Sequence, residues 1–324
     1  MKLCIAAAVA ILTLTSLCAG ARDAQEPSFS NGFELEGGIV APIEIDHGGP
    51  GRDGIPALDN PIFLEGAARE QQIRPDDRVM GVNYQGVAKA YPIAILDYHE
   101  VVNDRFGDTP LTITFCPLCG TGMAFFANVA GKDLDFGVSG LIYNSNVLLY
   151  DRATQSLWSQ VMKKAVTGPL QGTTLTQVPA QYTTWRDWLQ QHPESLLLSR
   201  DTGHQRNYDI SPYTEYRRLP MVNFATLHSD PRIPAKTWVV GVNVSEAALA
   251  VPFAELDKLA DGTLNVTVGP QALEIRWDKA AQSARAFDAA GEEFPVTAGY
   301  WFAWVAFHPA TALYPQLPAQ KDTR

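Results

Sequence analysis

Val79-Met80-Gly81-Val82-Asn83, running on to Pro92 and Leu96, returns as Val239-Val240-Gly241-Val242-Asn243, running on to Pro252 and Leu256, at an offset of 160. Two further blocks keep the same order. Leu111-Thr112-Ile113-Thr114 returns as Leu264-Asn265-Val266-Thr267, and the pattern W-x-x-W-x-x-x-H-P occurs at Trp185 to Pro193 and at Trp301 to Pro309. Ordered recurrence of this kind marks an internal duplication. Within the blocks, Val-x-Val and Thr-rich alternation is the period of half-buried strands. The sequence therefore predicts an α+β fold, predominantly antiparallel β, made of two related lobes packed together. Short helices are expected near Ile93 to Tyr98, Thr184 to His192 and Phe253 to Leu259.

The first lobe is placed at 47–215 and the second, a shortened repeat, at 216–324; they meet in the Tyr- and Arg-rich stretch around 202–220. Residues 22–46 read as an N-terminal lead, followed by a Gly/Pro-rich loop from His47 to Pro61. His192 and His308 precede Pro at the same point of the repeated tail, so both read as packing a helix end. A Rossmann reading fails for want of a G-x-G-x-x-G turn after a strand, and the hydrolase elbow fails because Gly137-Val138-Ser139-Gly140 is followed by Leu141.

Composition narrows the function. A chain of 324 residues that is 46% hydrophobic and 19% charged carries a core, and a formal charge of −10 leaves no basic stripe for a nucleic-acid backbone. The first 21 residues hold Lys2, an apolar run from Leu3 to Leu17 and the ending Ala19-Gly20-Ala21, the pattern of a cleaved secretory signal. That run is too short for a retained transmembrane helix. Lipid attachment at Cys18 is disfavoured because Leu17 sits where such sites want a small residue. The expectation is a periplasmic or secreted protein that starts at Arg22 and keeps only two thiols, Cys116 and Cys119.

Those two thiols sit in the turn Cys116-Pro117-Leu118-Cys119-Gly120, after the alternating strand Leu111 to Phe115. The turn resembles the knuckles of rubredoxin-like metal sites, where backbone N–H groups face the sulfurs. A thioredoxin-type arrangement, with the second cysteine opening a long helix, does not fit. A disulfide here would close a four-residue loop, which constrains the unfolded chain little, so a purely structural staple is a weak reading.

Hairpin register supplies a third candidate. If Gly107-Asp108 forms a tight turn, residue i pairs with residue 215 − i, and His99 falls opposite Cys116; a longer turn through Thr109 and Pro110 shifts this by two residues. An imidazole there can pair with a thiolate, bind a metal as a neutral ligand, or be a core histidine bonded to backbone. The segment Ser139 to Ser145 is a candidate pocket lining or a strand and turn satisfying itself; Asp151, Arg152 and Trp158 have the same standing.

These residues also resemble a known family. D-G-I-P-A-L-D-N-P at 53–61, G-V-N-Y-Q-G-V-A-K-A-Y-P at 81–92, H-E-V-V-N-D at 99–104, F-C-P-L-C-G-T at 115–121, F-G-V-S-G-L-I-Y-N-S at 136–145 and Y-D-R-A-T-Q-S-L-W-S-Q at 150–160 are similar to the exported bacterial proteins of the domain-of-unknown-function 3179 family. Some members carry selenocysteine in place of a cysteine of the turn. The resemblance thus implies redox work at Cys116 or Cys119, with no established substrate.

Three functions remain. The first is an exported thiol oxidoreductase using Cys116 and Cys119, with His99 tuning the attacking thiol, acting on an unknown redox partner or small-molecule substrate. The second is a metal-binding protein holding Cu or Zn through Cys116, Cys119 and His99, the one cofactor any of the readings requires. The third is a non-enzymatic interaction protein with a structural disulfide.

Overall fold

The computed structural model describes residues 28–315. The export signal, Cys4, Cys18 and the Arg22 start lie outside the described residues.

Each repeat opens with the expected hairpin. Arg78–Tyr84 pairs with Val87–Pro92 and Trp238–Val244 pairs with Ala247–Pro252, in the same register, Val79 opposite Pro92 and Val239 opposite Pro252. A short helix follows each, Ile93–His99 and Phe253–Leu256. Then comes a three-stranded meander: Val101–Phe106, Thr109–Cys116 and Thr121–Phe126 in the first repeat, Thr263–Val268, Gln271–Asp278 and Ser283–Asp288 in the second.

The tails correspond as closely. Gln181–Thr184 and Thr297–Tyr300 return antiparallel to the opening strands, the helices Trp185–Gln191 and Trp301–Phe307 follow, and Leu196–Leu198 and Ala312–Leu313 add a parallel edge. The repeated W-x-x-W-x-x-x-H-P tail has a physical reading here. Trp188 and Trp304 lie flat on Gly81 and Gly241, where a Cβ would come within 2.2 Å of either ring. Their indole N–H groups donate to Ser195 Oγ at 2.7 Å and Thr311 Oγ1 at 2.9 Å, and the tilted rings of His192 and His308 pack against them with centroids 4.1 Å apart. Both histidines therefore pack helix ends, as the sequence predicts.

The two-lobed α+β arrangement does not form. The described residues are 41% strand and 13% helix, and their strands include five four- or five-stranded sheets arranged as a five-bladed β-propeller. Two features decide this. Residues 136–165 build a sheet of their own, from Phe136–Tyr143, Asn146–Asp151, Leu157–Ser159 and Lys164–Ala165 with Ile45–His47 at its edge; among the described residues it has no counterpart in the second repeat. The repeats also exchange contacts. Gln181–Thr184 of the first packs beside Ser283–Asp288 of the second, and Thr297–Tyr300 of the second packs beside Thr121–Phe126 of the first. Each repeat buries a core of its own, and one further core cluster joins Cys116 and Cys119 of the first repeat to Tyr300, Phe302 and Ala303 of the second.

The alignment of the second block is corrected as well. The strand holding Leu111 to Thr114 is the middle one of its meander, and its counterpart is Gln271–Asp278 rather than the strand of Leu264 to Thr267. Cys116 and Cys119 thereby match Asp278 and Ala281, not Gly269 and Ala272. Adjacent strands of a meander share one alternation of apolar residues, and pattern alone does not tell them apart.

Replacing Gly81 or Gly241 by Ala drives a methyl into an indole held by its own hydrogen bond. Each variant is expected to lose about 1–3 kcal/mol of stability, as overpacked cores do. Thermal melts of both variants check this, and a melting temperature unchanged by either would show that the tryptophans move aside freely.

Candidate functional site

The thiol turn joins strands Thr109–Cys116 and Thr121–Phe126, with Cys116 paired opposite Thr121. Cys119 N–H donates to Cys116 O at 3.1 Å, and Gly120 takes the left-handed conformation, φ 65°, where a side chain would strike the Trp238 ring. Tyr300 N–H donates to Cys119 O at 2.8 Å, tying the turn to the other repeat. Both cysteines are free thiols, 1% and 0% exposed.

A second hairpin tip, Tyr143 to Asn146, meets the turn. Its central residues Asn144 and Ser145 have φ 51° and 61°, the conformation a tight primed turn requires. Cys119 S–H donates to Ser145 O at 3.0 Å and Asn146 Nδ2 donates to Cys119 Sγ at 3.4 Å. Asn146 Nδ2 and Thr121 Oγ1 both donate to Gln160 Oε1, and Gln160 Nε2 donates to Thr114 Oγ1, so a buried amide network braces the thiols from below. Ser145 Oγ and Asn146 Oδ1 are buried without a hydrogen-bond partner.

The sulfurs differ electrostatically. Burial opposes ionisation of Cys116, but the Cys119 side chain and the backbone N–H groups of Val147, Cys119 and Leu118 beside its sulfur together hold it below the ordinary thiol range. Burial and the charge on Cys116 push Cys119 up, with Asn146 offsetting only part. Of the two thiols, Cys116 is therefore the more readily ionised.

His99 does not join them. The register of residue i with 215 − i holds through the hairpin, Val101 opposite Thr114. The helix, however, extends through His99, and the chain turns at Glu100, φ 57°, before the strand begins at Val101. His99 Nδ1 bonds Pro56 O at 2.8 Å and Nε2 bonds Tyr208 Oη at 2.7 Å. Since a carbonyl only accepts, the proton sits on Nδ1 and the tyrosine hydroxyl donates to Nε2. Burial, with His204 and Arg206 nearby, lowers the His99 pKa to about 4, against the pull of the Pro56 carbonyl. His99 is the core histidine bonded to backbone. The metal set of Cys116, Cys119 and His99 is therefore not assembled, and among the described residues no group of three or more His, Cys, Asp or Glu is placed to hold a metal ion.

Glu100 takes the place expected of His99. The residue is 6% exposed, and its carboxyl pKa is pushed well up by burial first and then by the charge on Cys116. Tyr213 Oη donates to Glu100 Oε1 at 3.3 Å. Tyr213 belongs to the inter-repeat connection, residues 199–237, which lies over the thiol turn as a strap. Tyr216 Oη donates to Leu118 O at 2.8 Å, Arg217 forks onto the buried Asp97, Leu227 N–H donates to Asn144 Oδ1 at 2.8 Å, and Lys236 Nζ sits 3.2 Å from the Tyr216 ring centroid. Sequence reasoning treats this stretch as a lobe boundary; its three tyrosines, Tyr208, Tyr213 and Tyr216, are the signal that it covers something.

The remaining candidates are structural. Ser139 Oγ donates to Leu148 O within its own hairpin, and Asp151 Oδ2 accepts the Trp158 indole N–H at 2.9 Å and the Thr154 hydroxyl at 2.7 Å. Arg152 pairs with Asp59 at 2.7 Å.

A five-bladed, duplicated β-protein with a buried two-thiol turn under an inter-repeat strap is the class that fold and site define. Residues 52–311 match the family described as Protein of unknown function (DUF3179), and the chain belongs to it. No curated protein and no solved structure matches the chain. Among the described residues no helix is long and apolar enough to cross a membrane.

The neutral imidazole of His99 makes stability depend on pH. Between its unfolded value of 6.5 and its folded value of about 4, the unfolded chain binds a proton that the folded chain does not. Stability is thus full above about pH 6.5 and is lost as pH falls toward 4; His308, also lowered to about 4, chiefly by burial, adds to the loss. Urea unfolding at about pH 7 and about pH 5 should show the drop, and His99→Gln should make it shallower. An identical slope in the variant would assign the drop to other groups.

Proposed function

We propose that this protein is a thiol-based redox protein in which Cys116 is the attacking thiolate and Cys119 the resolving thiol. The observation that carries the reading is the pair of buried free thiols on one hydrogen-bonded turn, with Cys119 N–H donating to Cys116 O and backbone N–H groups beside the Cys116 sulfur. A turn that aims successive N–H groups at one atom is an anion site. The second repeat supports this independently. Asp278 occupies the position of Cys116, and its Oδ1 accepts the Ala281 N–H at 2.8 Å, while Gln282 repeats the left-handed φ of Gly120. The same turn thus presents its backbone N–H groups to an acidic side chain in each repeat, Asp278 in one and Cys116 in the other.

The chemistry is a two-step exchange. Cys116 thiolate attacks one sulfur of a disulfide, forming a mixed disulfide and expelling a thiolate. Cys119 then attacks the Cys116 sulfur, closes an internal disulfide and releases the second thiol. With both thiols buried, the substrate is either small or admitted by movement of the strap. Ser145 Oγ and Asn146 Oδ1, buried without partners beside Cys119, are the groups available to receive its polar atoms. The leading residues support an exported protein, and the same reading places the exchange outside the cytoplasm.

Incubating the mature protein with hydroxyethyl disulfide and following intact mass tests the assignment. Wild type should close the Cys116–Cys119 disulfide, Cys119→Ser should stop at a mixed disulfide on Cys116, and Cys116→Ser should react slowly or not at all. Alkylation of Cys116 should also show an inflection below the roughly 8.5 of a free thiol. If Cys119 is modified first, the roles are reversed; if neither reacts in folded protein, the redox reading fails.

A further inference from the structure

Glu100 breaks two rules at once. It caps the helix Ile93–His99 in a left-handed conformation, φ 57°, which suits glycine or asparagine rather than glutamate. It also carries its carboxyl into the core at the carbonyl end of that helix, where negative charge is least welcome. Its backbone is fully used, N–H donating to Leu96 O at 2.9 Å and O accepting from Phe115 N–H at 2.8 Å, and this fixes the residue directly behind the thiol strand. Its side chain is held by the hydroxyl of Tyr213. Strain and buried polarity that coincide at one residue mark functional sites.

The groups facing this carboxyl are few. Cys116 and Cys119 lie on the turn, Tyr213 on the strap, and Asp97 on the same helix with its charge matched by the Arg217 fork. Arg217 is already committed to Asp97, and no other of these groups offers a positive charge.

We propose that Glu100, positioned by Tyr213, is the proton relay of the thiol pair. This rests on the redox reading above. The carboxylic acid gives its proton to the thiolate expelled when Cys116 attacks a small disulfide, and becomes a carboxylate. It then takes the proton of Cys119, whose thiolate attacks Cys116 and breaks the mixed disulfide; the departing thiolate leaves protonated by Glu100. Two protons, one from Glu100 and one from Cys119, leave on the two product thiols as the two cysteines are oxidised and the disulfide is reduced.

The test is the lifetime of the mixed disulfide with hydroxyethyl disulfide, followed by acid quench and intact mass. That lifetime begins after the probe has entered, so strap opening does not set it. Glu100→Gln should form the mixed disulfide but resolve it about a hundredfold more slowly, the scale of a lost general base. In wild type the closure rate should rise with pH through one inflection. Tyr213→Phe removes a hydrogen bond that favours the carboxylate, so it should move that inflection to higher pH. Circular dichroism monitors folding, and if Glu100→Gln does not fold, the Tyr213→Phe profile decides. Closure at the wild-type rate in Glu100→Gln, or an unmoved inflection in Tyr213→Phe, overturns the relay and leaves the redox reading intact. Absence of both the mixed and the internal disulfide in wild type, with no mixed disulfide in Cys119→Ser, sinks the redox reading itself.

Discussion

The hydrogen bond from Tyr300 N–H to Cys119 O joins the thiol turn of one repeat to the last strand of the other, and much else follows from it. It requires Thr297–Tyr300 to lie beside Thr121–Phe126, which carries Trp238 over Gly120 and seals that side of the turn. The reciprocal contact brings Arg78, at the position of Trp238, to donate through Nη2 to Gln282 O at 3.1 Å, and Gln181 Nε2 to donate to Ser283 Oγ at 2.9 Å. Each repeat thus completes the other. The thiols are buried because the duplication folds as an interlocked pair.

Burying a potential anion is costly unless donors replace the water it loses. The turn supplies those donors from backbone amides, which are fixed by the hairpin and need no reorganisation. The second repeat keeps this device without the thiols, using the Asp278 carboxylate as a local latch. The first repeat has the same latch opened toward the inserted sheet, whose tip delivers the Val147 amide, the Ser145 carbonyl and the Asn146 side chain. Residues 136–165 thus give the first turn neighbours that the second turn lacks.

Much of this was legible locally. The Gly107-Asp108 turn pinned the register of the 101–116 hairpin, because a two-residue loop leaves no freedom to slip. The Cys-Pro-Leu-Cys-Gly turn, the short helices and the helix-end roles of His192 and His308 were read from nearest neighbours along the chain. His99 failed by one residue: the helix kept it and handed Glu100 to the strand side, and helix ends are where sequence signals are least sharp. The strap was read as a boundary because its tyrosines find their partners, Leu118, Glu100 and His99, about a hundred residues away.

The amino-acid sequence by itself determined the duplication, the hairpins and the pair of thiols in a turn, since each depends on contacts within a few residues or on a repeated pattern. Only the tertiary structure decided that the sheets form propeller blades, that Glu100 stands behind Cys116, and that 199–237 closes over the site. Those outcomes depend on which strands of one repeat meet which of the other. Alternating apolar residues offer every strand the same buried face, so the choice falls to packing: Trp188 against Gly81, Trp304 against Gly241, and the one sheet that occurs in a single repeat.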